Sequence, residues 1–404
     1  VLQIVPEPGA EPAPASARSA VPEAGYFRGF DLEPVRANLI SAALIYSNKR
    51  FTDVVLGANR TGHVWAANIT TNQVDGYVNW VGQGRDASSQ PLLSGKFQRL
   101  EIPDTRTTEF DGLLNTPPAS LPALDIEAEH FVLAGKQLGR LQLKASNRAD
   151  GSGWEISSLV LDHPSARFDG TGLWTRASAA AQQTNLTFTL VLHDAGQLLA
   201  VLGQPDTMRE GSGKLSGRLG WRGAPGEIDI PTLEGELALA LGPGQFLRTE
   251  PGIAKLVGVL SLQSIPRRLT LDFSDVFAAG FAFDTVVGQA RVANGTLTTD
   301  NLLMNGVQAQ VLIAGNADLL AETQALQVQV LPTINAGLAS IAYAAVANPA
   351  IGIGTLIAQL LLQDPLRKLF RYEFEIEGSW AEPKVTQTRP NDAQNPADEI
   401  YGPH

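Results

Sequence analysis

Short runs in which apolar and polar residues alternate fill most of the chain between about residues 30 and 330. A period of two places every second side chain on the same face of a β-strand. Gly, Asn and Asp separate the runs, as is typical of strands joined by turns. The pattern predicts a mainly β protein. Three sets predicted to share a face are Leu141, Leu143 and Ala145; Leu186, Phe188, Leu190 and Leu192; and Val307, Ala309, Val311 and Ile313.

These sets predict a sheet with one continuously apolar face. Such a face must be covered by a second sheet or by helices, or remain open as a groove for an apolar ligand. Composition alone favours an ordinary covered core, and the groove stays as the alternative.

Long segments of the chain resemble one another, which predicts a stacked repeat structure. Phe30 to Trp80 runs parallel to Leu124 to Trp174, and Leu269 to Leu319 is a weaker copy. In the first two, an Asn-Arg pair is predicted to form a turn before a strand with a tryptophan, and a later strand ends on another tryptophan. The residues are Asn59-Arg60, Trp65 and Trp80 in one copy, and Asn147-Arg148, Trp154 and Trp174 in the other.

The segment between the second and third copies has a different pattern. Asp194 to Gly203 has apolar residues at helical spacing behind an aspartate that can cap a helix. Gly211 to Gly223 and Leu233 to Leu247 alternate as strands, and Pro251 to Arg268 predicts a short helix followed by a strand.

No charged residue occurs between Ile334 and Leu362, a length that would suit a membrane-spanning helix. Pro349 lies in the middle and would break one straight helix at a cost of about 3 kcal/mol. We therefore predict two shorter helices, at about 336–347 and 354–362. They are either a buried cap on the β-structure or a surface that touches lipid. Basic residues directly behind the segment favour anionic headgroups. The membrane-contact candidates are Ile341, Val346, Ile351, Ile353, Leu356, Leu360, Arg367, Lys368 and Arg371.

These patterns divide the chain into five predicted parts. An extended Pro/Ala-rich segment covers residues 1–25, and a repetitive β-region covers 26–330. The apolar helical end element covers 331–371, a closing strand 372–386, and a disordered polar tail 387–404.

Composition excludes several classes of function. A net charge of −11 and a pI near 5.0 argue against nucleic-acid binding, which needs clustered Lys and Arg. The absence of cysteine excludes disulfides, thiolate metal sites and cysteine nucleophiles, and leaves the redox compartment open. The chain opens without a Lys/Arg-flanked apolar segment, so we expect no signal peptide or N-terminal anchor at its start, as would also hold for a fragment of a longer protein.

Candidate chemistry is also lacking, so we expect no enzymatic activity, no metal and no cofactor. The five histidines show no metal-ligand spacing. The segment GSGKLSG lacks the glycine and the Ser or Thr that a phosphate-binding loop requires, so its glycines are predicted to serve a close-packed strand. Asp272 and Asp275 are three apart in a predicted strand and would face opposite sides.

Four segments carry a resemblance to a known family: GSGKLSGRLGWRGAP, PGIAKLVGVLSLQSIPRRLTLDFSDVFAAGFAFD, TDNLLMNGVQAQVLIAGNADL and GSWAEPKV. They resemble the C-terminal part of the YhdP family of AsmA-like proteins, which has TamB and YdbH as relatives. The similarity extends from about residue 30 to residue 386.

The resemblance implies a periplasmic protein of Gram-negative bacteria, anchored in the inner membrane by an N-terminal helix that is missing here. It implies an elongated repeat sheet, strongly curved and folded into a U-shaped apolar groove, with a few short helices. The implied function is phospholipid transport between the inner and outer membranes, with this chain at the end near the outer membrane. Implied partners are phospholipid acyl chains and the outer-membrane surface or one of its proteins, and the oligomeric state is open.

Groove-lining residues follow from combining the resemblance with the alternation, although a slip of one residue would exchange the faces. An alternative function is a non-enzymatic scaffold for outer-membrane proteins, in which a sheet edge pairs with a client strand. A glycan-cleaving solenoid is a remote third, because it would need a carboxylate cluster that the alternation does not supply. The lining candidates are Leu141, Leu143, Trp154, Ile156, Phe188, Leu190, Leu271, Phe273, Val311 and Ile313.

Overall fold

The computed structural model describes residues 3–5, 36–46, 49–82, 90–103, 121–178, 181–247, 280–307, 309–332 and 372–388. The first ten strands are β1 (Gln3–Val5), β2 (Arg36–Tyr46), β3 (Lys49–Thr61), β4 (Val64–Thr70), β5 (Val74–Val81), β6 (Leu92–Ile102), β7 (Ala123–Leu133), β8 (Lys136–Asn147), β9 (Trp154–His163) and β10 (Ala166–Ser178).

A second series of strands follows: β11 (Ala181–Leu192), β12 (Met208–Glu210), β13 (Gly213–Arg222), β14 (Glu234–Leu241), β15 (Gly244–Phe246), β16 (Phe281–Ala293), β17 (Thr296–Gly306), β18 (Ala309–Asp318), β19 (Thr323–Pro332), β20 (Tyr372–Ser379) and β21 (Pro383–Thr388). Within the described residues, the helical elements are α1 (Ala195–Val201) and a 3-10 turn at Ile230–Thr232.

The chain forms two compact units, and the boundary passes through β10 and β11. The first unit holds the described residues up to His163 together with 169–184. The second holds Pro164–Phe168 and the described residues from Asn185 onward.

The first unit is an antiparallel meander with one parallel step. Each of β1 to β5 pairs antiparallel with the strand that follows it, and so do β7 and β8. In contrast, β6 and β7 run parallel, with Leu92 opposite Ala123 and Ile102 opposite Leu133. A parallel pair needs a connection of a dozen or more residues, and the chain between Ile102 and Ala123 is long enough.

The second unit contains a longer antiparallel ladder. The order β13, β14, β16, β17, β18, β19, β20, β21 is continuous, and β11 joins it beside β13. The short strands β12 and β15 pair with each other, and β15 also pairs with β16. The prediction of a mainly β protein is confirmed, and the strand ladder within each unit fits the groove that the resemblance implies.

The predicted helix behind Asp194 is confirmed as α1. The Asp194 carboxylate accepts a hydrogen bond of 2.9 Å from the backbone N–H of Gln197, which satisfies one of the open donors of the first turn. Leu198 and Leu199 of α1 pack against the core of the second unit. The helix therefore covers part of the apolar face of that unit.

Close contact between α1 and β12 leads to a first prediction. A Cβ on Gly196 would collide with the carbonyl oxygen of Met208, which is backbone and cannot move aside cheaply. We expect Gly196→Ala to lower the free energy of unfolding by about 1–3 kcal/mol, since overpacking costs that much. Thermal or urea unfolding would measure it, with Gly226→Ala as the control because nothing lies within 4 Å of a Cβ there. Equal stability of both variants would contradict the packing.

Several sequence expectations need correction. Asn59 and Arg60 lie inside β3, and the turn follows at Gly62 and His63. Val307 follows the end of β17 and is 70% exposed, so it does not share the buried face of Ala309, Val311 and Ile313.

Two predicted boundaries also differ from the structure. The segment predicted as one closing strand, 372–386, is a hairpin of β20 and β21. Within the predicted extended segment 1–25, Gln3–Val5 pairs with β2 as strand β1. The close-packed glycines predicted in GSGKLSG are confirmed, because a Cβ on Gly217 would collide with the backbone of Glu236.

The predicted helix and strand at 251–268, the helical end element and the tail from 389 onward lie outside the described residues. In the part of the chain that the structure describes, no helix is long and apolar enough to cross a membrane.

Candidate functional site

One face of the first unit is apolar from strand to strand, and the strand register establishes this directly. Residues opposite each other in a ladder point to the same side of the sheet. Each of the following sets contains such partners: Leu56, Ile69, Gly76 and Phe97; Ala58, Ala67, Val78 and Gly95; Trp65, Trp80, Leu93 and Leu124. In β7 to β9 the same face carries Ile126, Ala128, Leu141, Leu143, Leu159 and Leu161.

Burial on this apolar face changes along the sheet. Around β7 and β8, Ile126, Ala128, Phe131 and Leu141 are buried, and Leu93 and Phe97 of β6 pack against them. On β3, β4 and β5, Leu56, Ala67, Trp80 and their partners on this face are only half-buried. The face is therefore more accessible at its β3–β5 end than in its buried centre around β7 and β8.

The opposite face of the first unit is polar and carries ion pairs between strands. Lys96 Nζ lies 3.4 Å from Glu127 Oε2, and Lys144 Nζ lies 3.6 Å from Asp125 Oδ2. These side chains are largely exposed, so each pair contributes at most about 1 kcal/mol. The ion pairs also mark the side of the sheet that faces water.

The structure places four predicted lining residues on the apolar face of the first unit. Leu141 and Leu143 are partners of Ala128 and Ile126 across the β7–β8 ladder. Ile156 is opposite Ala145 and is buried. Trp154 is also buried, and its indole N–H donates a 3.1 Å hydrogen bond to the carbonyl of Pro122, which fixes the ring at the start of β9.

The apolar face of the second unit is a closed core. Val311 is opposite Met304 on one side and Val330 on the other, and Ile313 is opposite Leu302 and Val328. Val311 is 0% exposed and Val328 is 2% exposed. The same face continues through Phe374 and Ile376 of β20.

The remaining described candidates lie on β11 of the second unit. The ring of Phe188 stacks on that of Phe168, with centroids 5.6 Å apart, and Leu190 packs against the buried core. Leu271 and Phe273 lie outside the described residues, as do all the membrane-contact candidates: Ile341, Val346, Ile351, Ile353, Leu356, Leu360, Arg367, Lys368 and Arg371.

A depression of about 930 Å³ lies on the other, polar side of the second unit. Its wall follows the cross-strand row Arg218, Glu236, Arg291 and Thr298. Both signs of charge are present and most of the lining residues are polar or charged, so the depression does not suit an acyl chain.

No catalytic arrangement emerges from the described residues. They contain no group of three or more His, Asp or Glu side chains that could hold a metal ion. Hydrogen bonds from the side chain and backbone of Ser152 lower the pKa of Asp150, which lies in the exposed turn before β9. This effect belongs to the turn and not to an active site.

Sequence reasoning missed two parts of the apolar face. Ile126, Ala128 and Phe131 form its buried centre, and the alternation in LDIEAEHF could have revealed the first two. Arg60, Trp65 and Trp80 lie together at its accessible end, where Arg60 had been assigned to a turn. Only the register between distant strands brings these residues together.

Comparison with known proteins agrees with the resemblance in the sequence. The model of the family described as YhdP protein matches residues 27–385. A curated relative, the intermembrane phospholipid transporter YhdP of Escherichia coli (strain K12), is 26% identical over 254 residues. The matched region covers 63% of this chain and 20% of that protein, so the chain spans about a fifth of the relative's length. No solved structure matches.

Proposed function

Because the chain belongs to the YhdP family, we propose that it is a segment of a protein that moves phospholipid between two membranes, with the acyl chains lying on the apolar face of its sheet. The single observation that supports this proposal is the strand register of the first unit, which aligns apolar side chains across β3 to β9. An isolated apolar pocket would bind a lipid, whereas a face that continues across many strands gives the lipid a path.

The energetics of acyl chains suit such a face. Each CH₂ group removed from water contributes about 0.8 kcal/mol, and the contribution is the same at any point along an apolar surface. A chain can therefore slide without losing its stabilisation, while the headgroup stays in water. Half-burial of Ala67, Ile69 and Val78 leaves their side chains accessible to a ligand.

We assign the lipid-contacting surface to the first unit. Its members include the predicted Leu141, Leu143, Trp154 and Ile156, together with the accessible positions of β3 to β5. Val311 and Ile313 are enclosed in the core of the second unit, so we assign them a structural role. Phe188 and Leu190, which are half-buried on β11, stay in the proposal as lining residues of the second unit.

Two neighbouring residues of β4 offer a matched test. Ile69 points to the apolar face and Asn68 to the polar face, so Ile69→Asp and Asn68→Asp place a negative charge on opposite sides of the same strand. We expect Ile69→Asp to lose most of the phospholipid that copurifies with the chain, because a carboxylate on the path must be desolvated beside acyl chains. Asn68→Asp should retain it.

The measurement is mass spectrometry of lipid extracted from the purified full chain, together with circular dichroism of both variants. Wild-type protein free of phospholipid, or equal lipid content in both folded variants, would refute the proposal. Crosslinks from strand edges to outer-membrane barrel proteins, without lipid crosslinks on the apolar face, would support the scaffold alternative instead.

We further propose that the longer protein works in the periplasm, anchored in the inner membrane, with this chain near the outer membrane. The proposal rests on the family and on the apolar, Arg/Lys-flanked sequence at 331–371. Charged substitution at both Ile353 and Leu356 is the test. Unchanged recovery of the variant with outer-membrane fractions would contradict contact between this segment and the membrane.

A further inference from the structure

The accessible end of the apolar face in the first unit carries a cation and two tryptophans. Arg60 is the last residue but one of β3, Trp65 is the second of β4, and Trp80 is the last but one of β5. The register places Arg60 opposite Trp65 and Trp65 opposite Trp80, so all three side chains lie on the same face at one rim of the sheet. We call these three residues the rim cluster.

Arg60 is held in position by its own turn and by the neighbouring ring. Its Nε donates a 3.0 Å hydrogen bond to the carbonyl of Gly62, and its guanidinium carbon lies 5.9 Å from the centre of the Trp65 ring. An arginine over a tryptophan face is stabilised by the ring quadrupole. The side chain is thus directed across the rim of the apolar face, where a ligand on β4 and β5 would end.

The two tryptophans have the chemistry of an interface between apolar and aqueous surroundings. Both rings are half-buried, and no described residue accepts a hydrogen bond from either indole N–H. Tryptophan occurs where one end of the ring is apolar and the N–H can reach a polar group. A ligand that offers acceptor oxygens at the rim would satisfy both donors.

Polarity falls steeply from the rim cluster into the sheet. The next residues on the same face are Ala58, Ala67 and Val78, and behind them lie Leu56 and Ile69. Among the residues aligned across β3 to β6 in these cross-strand rows, Arg60 is the one with a charge. The positive charge and the indole donors lie at one end of the face, and small and then larger apolar side chains follow. This order matches an anionic amphiphile, whose charged headgroup would lie at the rim and whose apolar chain would lie along the sheet.

We propose that the rim cluster binds the phosphate group of a phospholipid whose acyl chains lie on Ala58, Ala67 and Val78. This inference rests on the proposed function and adds the position and the chemistry of headgroup recognition. The guanidinium fork suits phosphate oxygens, and the indole N–H groups supply neutral donors beside it.

Three soluble probes separate the phosphate from the acyl chains: dioctanoyl phosphatidylglycerol, dioctanoylglycerol and glycerol 3-phosphate. Calorimetric titration of the full chain is expected to give tight binding of the first, weaker binding of the second and little binding of the third. Arg60→Gln should weaken binding of dioctanoyl phosphatidylglycerol by about tenfold or more, since a hydrogen bond to a charged group is lost. Binding of dioctanoylglycerol should not change.

Matched variants guard against a general loss of charge or of fold. Arg140→Gln removes the same charge from the polar face, where Arg140 lies 3.6 Å from Glu129, and should bind every probe like the wild type. Arg60→Lys should restore much of the affinity that Arg60→Gln loses. Trp80→Phe should weaken binding of dioctanoyl phosphatidylglycerol alone, by about threefold to tenfold. Circular dichroism verifies that each variant is folded.

The other outcomes are decisive. Equal binding of dioctanoyl phosphatidylglycerol by wild type and Arg60→Gln would overturn the headgroup site while leaving the proposed function intact. Equally tight binding of glycerol 3-phosphate would mean a site for free phosphate and would overturn the lipid assignment. Failure of the wild type to bind either dioctanoyl lipid would refute the proposed function itself.

Discussion

The variant Val311→Asp is expected to lose the folded structure of the second unit. Val311 is fully enclosed and lies between Met304 and Val330 in the middle of the longest ladder. Placing a carboxylate there without a partner costs several kcal/mol, which is comparable to the whole stability of a domain. Far-UV circular dichroism and limited proteolysis should show loss of the cooperative transition and cleavage within β16 to β20.

Asn316→Asp is the control for this experiment, because it adds the same charge to an exposed position of the same strand. Its free energy of unfolding should differ from that of the wild type by no more than about 0.5 kcal/mol. A Val311→Asp protein that unfolds at the same urea concentration as the control would show that the second unit is not a closed core. Loss of transport in Val311→Asp would therefore report unfolding of the second unit and not loss of contact with lipid.

The alternation along the chain predicted which residues share a face, because side-chain direction in a strand follows from sequence spacing alone. Leu141 with Leu143 and Val311 with Ile313 are each confirmed as neighbours on one face. The helix behind Asp194 was also predictable, since a capping side chain and the helical spacing are local signals.

Whether an apolar face is open or enclosed could not be predicted, because it depends on residues far away in the sequence. Leu143 is half-buried and Val311 is enclosed, although both occupy the same kind of alternating run. The parallel pairing of β6 with β7 could not be predicted for the same reason, because the register between distant segments leaves no local signal in the sequence. Alternation and turn residues indicate the order of strands along the chain, but they do not reveal this parallel pairing.

The rim cluster shows the same limit at the level of a site. Trp65 and Trp80 were visible in the sequence as matching positions of a repeat, whereas their pairing follows only from the β4–β5 register. Arg60 was assigned to a turn because Asn-Arg pairs precede both tryptophan strands. Its position inside β3 is what turns its side chain toward the apolar face.

Gly139 combines two constraints at a bulge on the apolar face. It is opposite Phe131, where the β7–β8 register shifts, and its φ of 82° is one that other residues adopt only at a cost. A Cβ at Gly139 would also collide with the backbone carbonyl of Asp162 on β9. Across this bulge, Phe131 and Leu141 belong to the same buried cluster.

Gly139→Ala is therefore expected to lower the free energy of unfolding of the first unit by about 2–5 kcal/mol, from about 1–2 kcal/mol of backbone strain and about 1–3 kcal/mol of overpacking. Gly135→Ala separates the two costs, because Gly135 has a similar φ of 75° and nothing lies within 4 Å of a Cβ there. The free energy of unfolding of Gly135→Ala should fall only by the contribution from backbone strain, about 1–2 kcal/mol. Urea unfolding of both variants measures the difference, and amide hydrogen exchange should locate the faster exchange of Gly139→Ala in β7 to β9. Equal loss in the two variants would mean that β8 and β9 are not in close contact at this bulge, and the alignment of the apolar face beyond it would then need another cause.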